Sequence, residues 1–169
     1  DDGIVLSARA HGESAAIAML LTRGHGRHAG LVHGGAGRGK RGMLQPGNRV
    51  TAVWRARLAE HLGTFVCEPA GSLAAALLDD ALRLAALSSA CAVAEAALPE
   101  REPHPAAYDG LGALLEALSG EVWAEAYIRW EIEMLRELGF GLDLSACAAT
   151  GSTDDLAYVS PRSGRAVSL

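Results

Sequence analysis

The sequence predicts an α+β protein in which a small closed β-barrel, about residues 1–68, precedes an all-helical domain from about residue 70 to 169. Three observations carry this. Residues 1–67 alternate apolar and polar side chains in short runs divided by glycine-rich turns. From Ser72 onward apolar residues return every three to four positions. The charge is also split: residues 1–67 hold nine Lys/Arg against four acids, and residues 68–169 hold six against sixteen, within a net charge of −5. A chain of 169 residues can bury one good core or two small ones, and the split favours two.

The first strand is expected over residues 4–11, half-buried, with Ile4, Leu6, Ala8 and Ala10 opposite Val5, Ser7, Arg9 and His11. His11-Gly12-Glu13-Ser14 turns the chain into a second strand, Ala15–Thr22. Arg23-Gly24-His25-Gly26 turns it again into a third, Arg27–His33. Residues 34–42 are too glycine-rich to pack and too basic to be a neutral spacer, so they read as a flexible loop. Pro46-Gly47 precedes the longest strand, Asn48–Leu58, and Gly63 precedes a short fifth, Thr64–Cys67. Five short strands with one long loop fit a five-stranded OB-fold barrel.

Ser72 caps the first helix, and Asp79-Asp80 divides it from a longer one ending near Leu98-Pro99. After the link Glu100–Pro105, helices are expected over Ala106–Leu118 and Glu121–Leu138, the last closed by Gly139. Trp123, Tyr127, Trp130 and Met134 form one stripe that reads as core, or in part as a groove for a partner's apolar peptide. Beyond Gly141 the pattern is irregular, with a turn at Pro161–Gly164.

The barrel half contains an acid-free stretch from Ser14 to Ala59 that holds eight of the fifteen basic residues: Arg23, Arg27, Arg38, Lys40, Arg41, Arg49, Arg55 and Arg57. In an acidic chain this block points to an anionic partner, and DNA phosphates fit it. Alternation puts Asn48, Val50, Ala52, Trp54, Ala56 and Leu58 on the core face of the long strand. Arg49, Arg55 and Arg57 then stand together on the outer face beside the Arg38/Lys40/Arg41 loop. Single-strand binders commonly stack bases on aromatic rings. The basic half has only Trp54 and Phe65, with Trp54 read as core, so binding should be mainly electrostatic and salt-sensitive.

Other chemistries fit poorly. Gly34 to Lys40 has the outline of a phosphate-binding loop, but Arg41 stands where Ser or Thr would hold Mg²⁺, and no helix is expected to follow. Cys147-Ala148-Ala149-Thr150 is half of a zinc knuckle without its second thiolate, so residues 142–169 read as a degenerate, metal-free zinc-finger-like segment. No cofactor is expected. Ser14, beside Glu13 and His11, belongs to a turn, no nucleophile elbow occurs, and an enzyme is not expected. Cys67, Cys91 and Cys147, odd in number and far apart, favour a reducing cytoplasm, and no apolar run reaches the ~20 residues that cross a bilayer.

A set of ordered motifs goes further: Gly3-Ile4-Val5-Leu6 with His11-Gly12-Glu13, Thr22-Arg23-Gly24-His25-Gly26, the Gly-Ala-Gly-Arg loop and Leu44-Gln45-Pro46-Gly47. Arg129-Trp130-Glu131, Leu138-Gly139-Phe140-Gly141-Leu142-Asp143-Leu144, Cys147-Ala148-Ala149-Thr150-Gly151 and Tyr158 to Ser168 follow. In this order and spacing they resemble the RecO family of bacterial DNA-repair proteins, in its alphaproteobacterial form, across essentially the whole chain. The resemblance implies an OB domain and a helical domain, binding of single- and double-stranded DNA, strand annealing, and loading of RecA onto DNA coated by single-strand-binding protein in the RecF pathway. It implies RecR and the C-terminal tail of single-strand-binding protein as partners, and a cytoplasmic, nucleoid-associated protein with no membrane role. Some members carry a four-cysteine zinc module where only Cys147 matches, so zinc is not carried over. The family continues for further helices, so the chain is expected to be truncated at its C-terminus. The rival readings are an OB-fold adaptor for acidic peptides that does not bind DNA, and a Mg²⁺-dependent nucleotidase using the glycine loop.

Overall fold

The structure, a computed structural model, describes residues 1–58 and 60–169; Ala59, the last residue of the acid-free stretch, lies outside the described residues. Five strands close a barrel: β1 (Asp2–His11), β2 (Ala15–Thr22), β3 (Gly26–Val32), β4 (Arg49–Arg55) and β5 (Thr64–Gly71), in the order β1-β2-β3-β5-β4. β4 returns to β1 through Asp2↔Thr51, Gly3↔Val50 and Ile4↔Arg49. The β3–β5 seam is one parallel pair, Leu31↔Thr64. Inside lie Val5, Ala16, Ala18, Leu20, Val32, Leu44, Val50, Ala52, Phe65 and Cys67, small enough on β2 for the tight curvature. This is the OB-type barrel that the alternation predicts.

The helices build a second core on the outside of the barrel. They are α2 (Leu73–Ala76), α3 (Ala81–Ala97), α4 (Pro105–Ala117) and α5 (Trp123–Glu137). Ile4, Leu6 and Leu21 from β1 and β2 join Leu87, Cys91, Leu98, Leu111, Leu115, Trp130 and Met134 there. β1 is therefore buried on both faces over Ile4–Leu6, and not half-buried as alternation predicts. A bulge between Val5 and Ser7 then releases the strand to solvent at Ala8 and Ala10. Asp80 caps α3, accepting hydrogen bonds from the Leu82 and Arg83 amides at 3.1 Å, which explains the break at Asp79-Asp80.

Four boundaries differ from expectation. β5 runs to Gly71, through Pro69, because past Thr64 it has no β3 partner that needs the missing N–H. β4 stops at Arg55, so Ala56, Arg57 and Leu58 leave the sheet, all exposed, and Arg57 does not share the strand's face with Arg49 and Arg55. The glycine-rich loop holds one turn of helix, α1 (Arg38–Arg41), after which Leu44 packs into the barrel. The C-terminal segment forms a hairpin, β6 (Leu156–Val159) with β7 (Ala166–Ser168), over a buried Cys147.

Gly30 and Gly26 are among the glycines that close approach requires. The Phe65 ring lies on Gly30, where an added Cβ would run into it. Gly26, at φ +66°, faces the Glu102 backbone, which a Cβ would strike. No described helix is long and apolar enough to cross a membrane.

Candidate nucleic-acid interface

The eight basic residues singled out by the sequence divide into two groups. Arg23 grips Asp109 of α4 through two nitrogens, Nε to Oδ1 at 3.0 Å and Nη2 to Oδ2 at 3.1 Å. That hydrogen bond raises the guanidinium's pKa and holds the Asp109 carboxyl below its ordinary range. Arg27 Nε donates to the Leu98 carbonyl at the end of α3 at 2.8 Å. Arg49 Nη2 donates to Glu116 Oε1 on α4 at 2.8 Å. These three guanidiniums stitch the barrel to the acidic helices.

The other five face solvent. Arg38, Lys40 and Arg41 make up most of α1, and none of them is buried. Lys40 Nζ reaches back to the His33 carbonyl at 3.0 Å, which fixes the loop. Arg55 ends β4 and Arg57 follows it, both exposed. Among the described residues no carboxylate is ion-paired with any of these five. The Leu31 amide donates to the Gly63 carbonyl at 3.0 Å, which sets the β4–β5 connection beside the end of β3, where the basic loop begins.

Arg9 is a sixth cation that the sequence reading leaves out, because Glu13 separates it from the acid-free stretch. It shares an open cavity of about 410 Å³ with Arg41, walled by Ala8, Ala10, Ala16, Gly35, Ala36 and Pro46. Its place on the polar side of the first strand, next to the basic loop that follows β3, is the signal that would have found it. Two guanidiniums over small side chains can hold a phosphate and let the backbone approach closely.

Near the end of β4 and the β2–β3 turn lies an aromatic cavity of about 250 Å³, lined by Asp1, Thr22, His25, His28, Ala52, Val53, Trp54 and Phe65. Trp54, expected in the core, is only partly buried: it stands at the barrel mouth, where β4 runs out. The His28 ring meets Trp54 edge-on at 4.6 Å between centroids, and Phe65 at 6.1 Å. The Arg101 guanidinium sits 5.5 Å from the Trp54 ring centroid. Both His28 nitrogens are buried with no hydrogen-bond partner among the described residues. Burial first, and then the Arg101 charge, lower the His28 pKa.

A third hollow, about 390 Å³, runs between α3 and α5 and is lined by Leu82, Ala86, Ser89, Trp123, Tyr127 and Ile128. Leu82 and Ile128 are more than half exposed there, while the stripe itself belongs to the helical core, Trp130 and Met134 buried and Trp123 and Tyr127 packed partly buried against it.

Among the described residues no three His, Cys, Asp or Glu side chains gather around a common point. Cys147 Sγ accepts hydrogen bonds from the Ser168 amide and hydroxyl, both at 3.3 Å, which lower its pKa and tie β7 to the turn. Burial pushes the Cys67 thiol up to about 11 and Cys91 up to about 12, so both stay protonated at neutral pH.

Comparison with known proteins adds a second line of observation. Residues 1–71 match the family model described as "Recombination protein O N terminal", and residues 78–168 match "Recombination protein O C terminal". The chain is 68% identical over 171 residues to the DNA repair protein RecO of Rhodospirillum centenum, covering all of this chain and 68% of that protein. It is 58% identical over 173 residues to the RecO of Rhodospirillum rubrum, covering 99% of this chain and 69% of the relative. Identity to the RecO of Phenylobacterium zucineum is also 58%, over 169 residues, covering 99% and 70%.

Proposed function

The chain belongs to the RecO family of DNA repair proteins, and from that premise we propose that it is a non-enzymatic recombination mediator whose barrel binds DNA through Arg9, Arg38, Lys40, Arg41, Arg55 and Arg57. The single observation behind this reading is the division of the basic block. Three arginines are spent on the helices, and the exposed remainder has no recorded carboxylate partner among the described residues. Each phosphate that a cation neutralises releases counterions, which favours binding and lowers the repulsion between two strands being paired. The mediator would bind single- and double-stranded DNA, anneal complementary strands and help load RecA onto strands coated by single-strand-binding protein, in the cytoplasm and on the nucleoid.

The proposed protein partners are RecR and the C-terminal tail of single-strand-binding protein. The hollow between α3 and α5 supports the second of these, since its exposed Leu82 and Ile128 flank Trp123 and Tyr127 at helical spacing. The test of the DNA reading is fluorescence anisotropy of a labelled oligonucleotide over a salt series. Binding whose logarithm falls linearly with log salt is expected. A folded sample that fails to bind at low salt would refute the reading.

A further inference from the structure

We infer that the cavity between Trp54, Phe65 and His28 takes one unpaired nucleobase of the bound strand. The inference rests on the proposal that the barrel binds DNA, and it adds what charge alone does not supply: a means of telling a single strand from a duplex.

The walls suit a flat, heteroatom-edged ring. Three rings line the cavity, with the His28 ring edge-on to both of the others. At about 250 Å³ it lies below the roughly 300 Å³ at which drug-sized pockets begin, so a single ring system is the scale of occupant it admits. Stacking on such rings is favourable for any base, because every base has a π-face.

The polar atoms select a base over a plain apolar side chain. A neutral imidazole offers one N–H donor and one acceptor, and both His28 nitrogens are buried without a partner among the described residues. A buried polar group left in that state is costly. A base edge carries both donors and acceptors and could pair with a His28 nitrogen once the ring turns toward the cavity, whereas a leucine or phenylalanine from a protein partner would leave the ring nitrogens unpaired. The lowered His28 pKa keeps the ring in the neutral form that has both functions.

The surroundings suit a strand. Arg55 follows Trp54 directly and Arg57 lies two residues further on, both exposed; Arg101, by the Trp54 ring, is engaged with the His61 carbonyl and Glu100. The carboxylate at the rim, Asp1, is hydrogen-bonded to His25 Nδ1 at 3.1 Å. Phosphates on either side of an inserted base would therefore meet arginines. A base held in a duplex has its edge and both faces occupied, and it cannot enter.

The test compares two ligands on the unaltered chain, so it does not depend on a variant folding. The affinity of a labelled oligothymidylate is measured by anisotropy against a strand of equal length built of abasic units. Both carry the same phosphates. The abasic strand is expected to bind about tenfold more weakly at one salt concentration, in keeping with the loss of a stacked base, with an unchanged salt slope. His28→Ala and Trp54→Leu should each bring the oligothymidylate down toward the abasic level, again without altering the slope. Equal affinity of the two strands, with steep salt dependence, would overturn the base pocket, leave the electrostatic reading intact and assign the cavity to an apolar side chain of a protein partner. Failure of both strands to bind at low salt would overturn both.

Discussion

The division of the basic residues can be tested by counting charges with salt. If Arg9, Arg38, Lys40, Arg41, Arg55 and Arg57 each neutralise one phosphate of a single strand, the slope of log affinity against log salt is about −4, at roughly −0.7 per phosphate. Raising salt from 50 to 200 mM should then weaken binding about 300-fold. Replacing Arg55 and Arg57 by alanine removes two contacts, so the slope should fall to about −3 and the same salt step should cost about 50-fold. Replacing Arg23 and Arg49 removes the same formal charge, but from guanidiniums held by Asp109 and Glu116, and the slope should stay near −4. Anisotropy titrations at four or five salt concentrations distinguish these values. A slope unmoved by the Arg55/Arg57 pair, or lowered by the Arg23/Arg49 pair, would refute the assignment.

Three further predictions concern the scaffold. Leu6→Ala empties a fully buried site in the core shared by β1 and the helices, and should cost about 2–5 kcal/mol in one chemical-denaturation transition followed by circular dichroism. Two separate transitions, only one of them displaced, would show that the barrel and helices do not share that core. Gly30→Ala drives a methyl into the Phe65 ring and should destabilise by about 1–3 kcal/mol; Phe65→Leu in the same chain should relieve part of the loss, and strictly additive effects would contradict the contact. Because burial first, and then Arg101 and His25, hold the His28 pKa below its ordinary 6.5 in the folded chain, against the opposing pull of Glu100, its contribution is intact above about pH 6.5 and is lost as pH falls through the folded value. The urea midpoint should therefore drop more steeply between pH 7 and 5 in the native chain than in His28→Gln, and parallel curves would remove His28 from the pH response.

Much of this architecture is written locally. The five strands, the turns between β1, β2 and β3 and the Asp79-Asp80 break depend on near neighbours in the chain, and each occurs where the sequence predicts it, though strand ends and the burial of β1 differ. What stayed hidden depends on distant partners. Pro69 reads as a stop because proline lacks an amide hydrogen, yet β5 continues through it, since that side of the strand has no partner to disappoint. Alternation places Trp54 in the core, but it cannot tell that the barrel interior ends there and leaves the ring only partly buried, lining a cavity. Arg23, Arg27 and Arg49 look identical in sequence to Arg38, Arg41 and Arg55. Only the docking of α3 and α4 decides which guanidiniums are engaged.

That docking also explains why the chain carries such opposed charges. An acidic helical layer on a basic barrel attracts it at the shared face, where Asp109 and Glu116 meet arginines. The rest of the layer keeps its negative charge, including Glu125, Glu131 and Glu137 on α5. On the proposed reading, an approaching DNA strand would be repelled from that side and drawn to α1 and the end of β4. If the barrel binds DNA as proposed, the charge split that helps hold the two layers together would also set the side on which a nucleic acid lands. It would leave the helical side, with its hollow between α3 and α5, for proteins. Reversing the α4 charges Asp109 and Glu116 to lysine should weaken the union of the layers and at the same time let DNA bind from the wrong side. In the salt series this would appear as a steeper slope on a less stable protein. A flatter slope would mean that the helices do not steer binding.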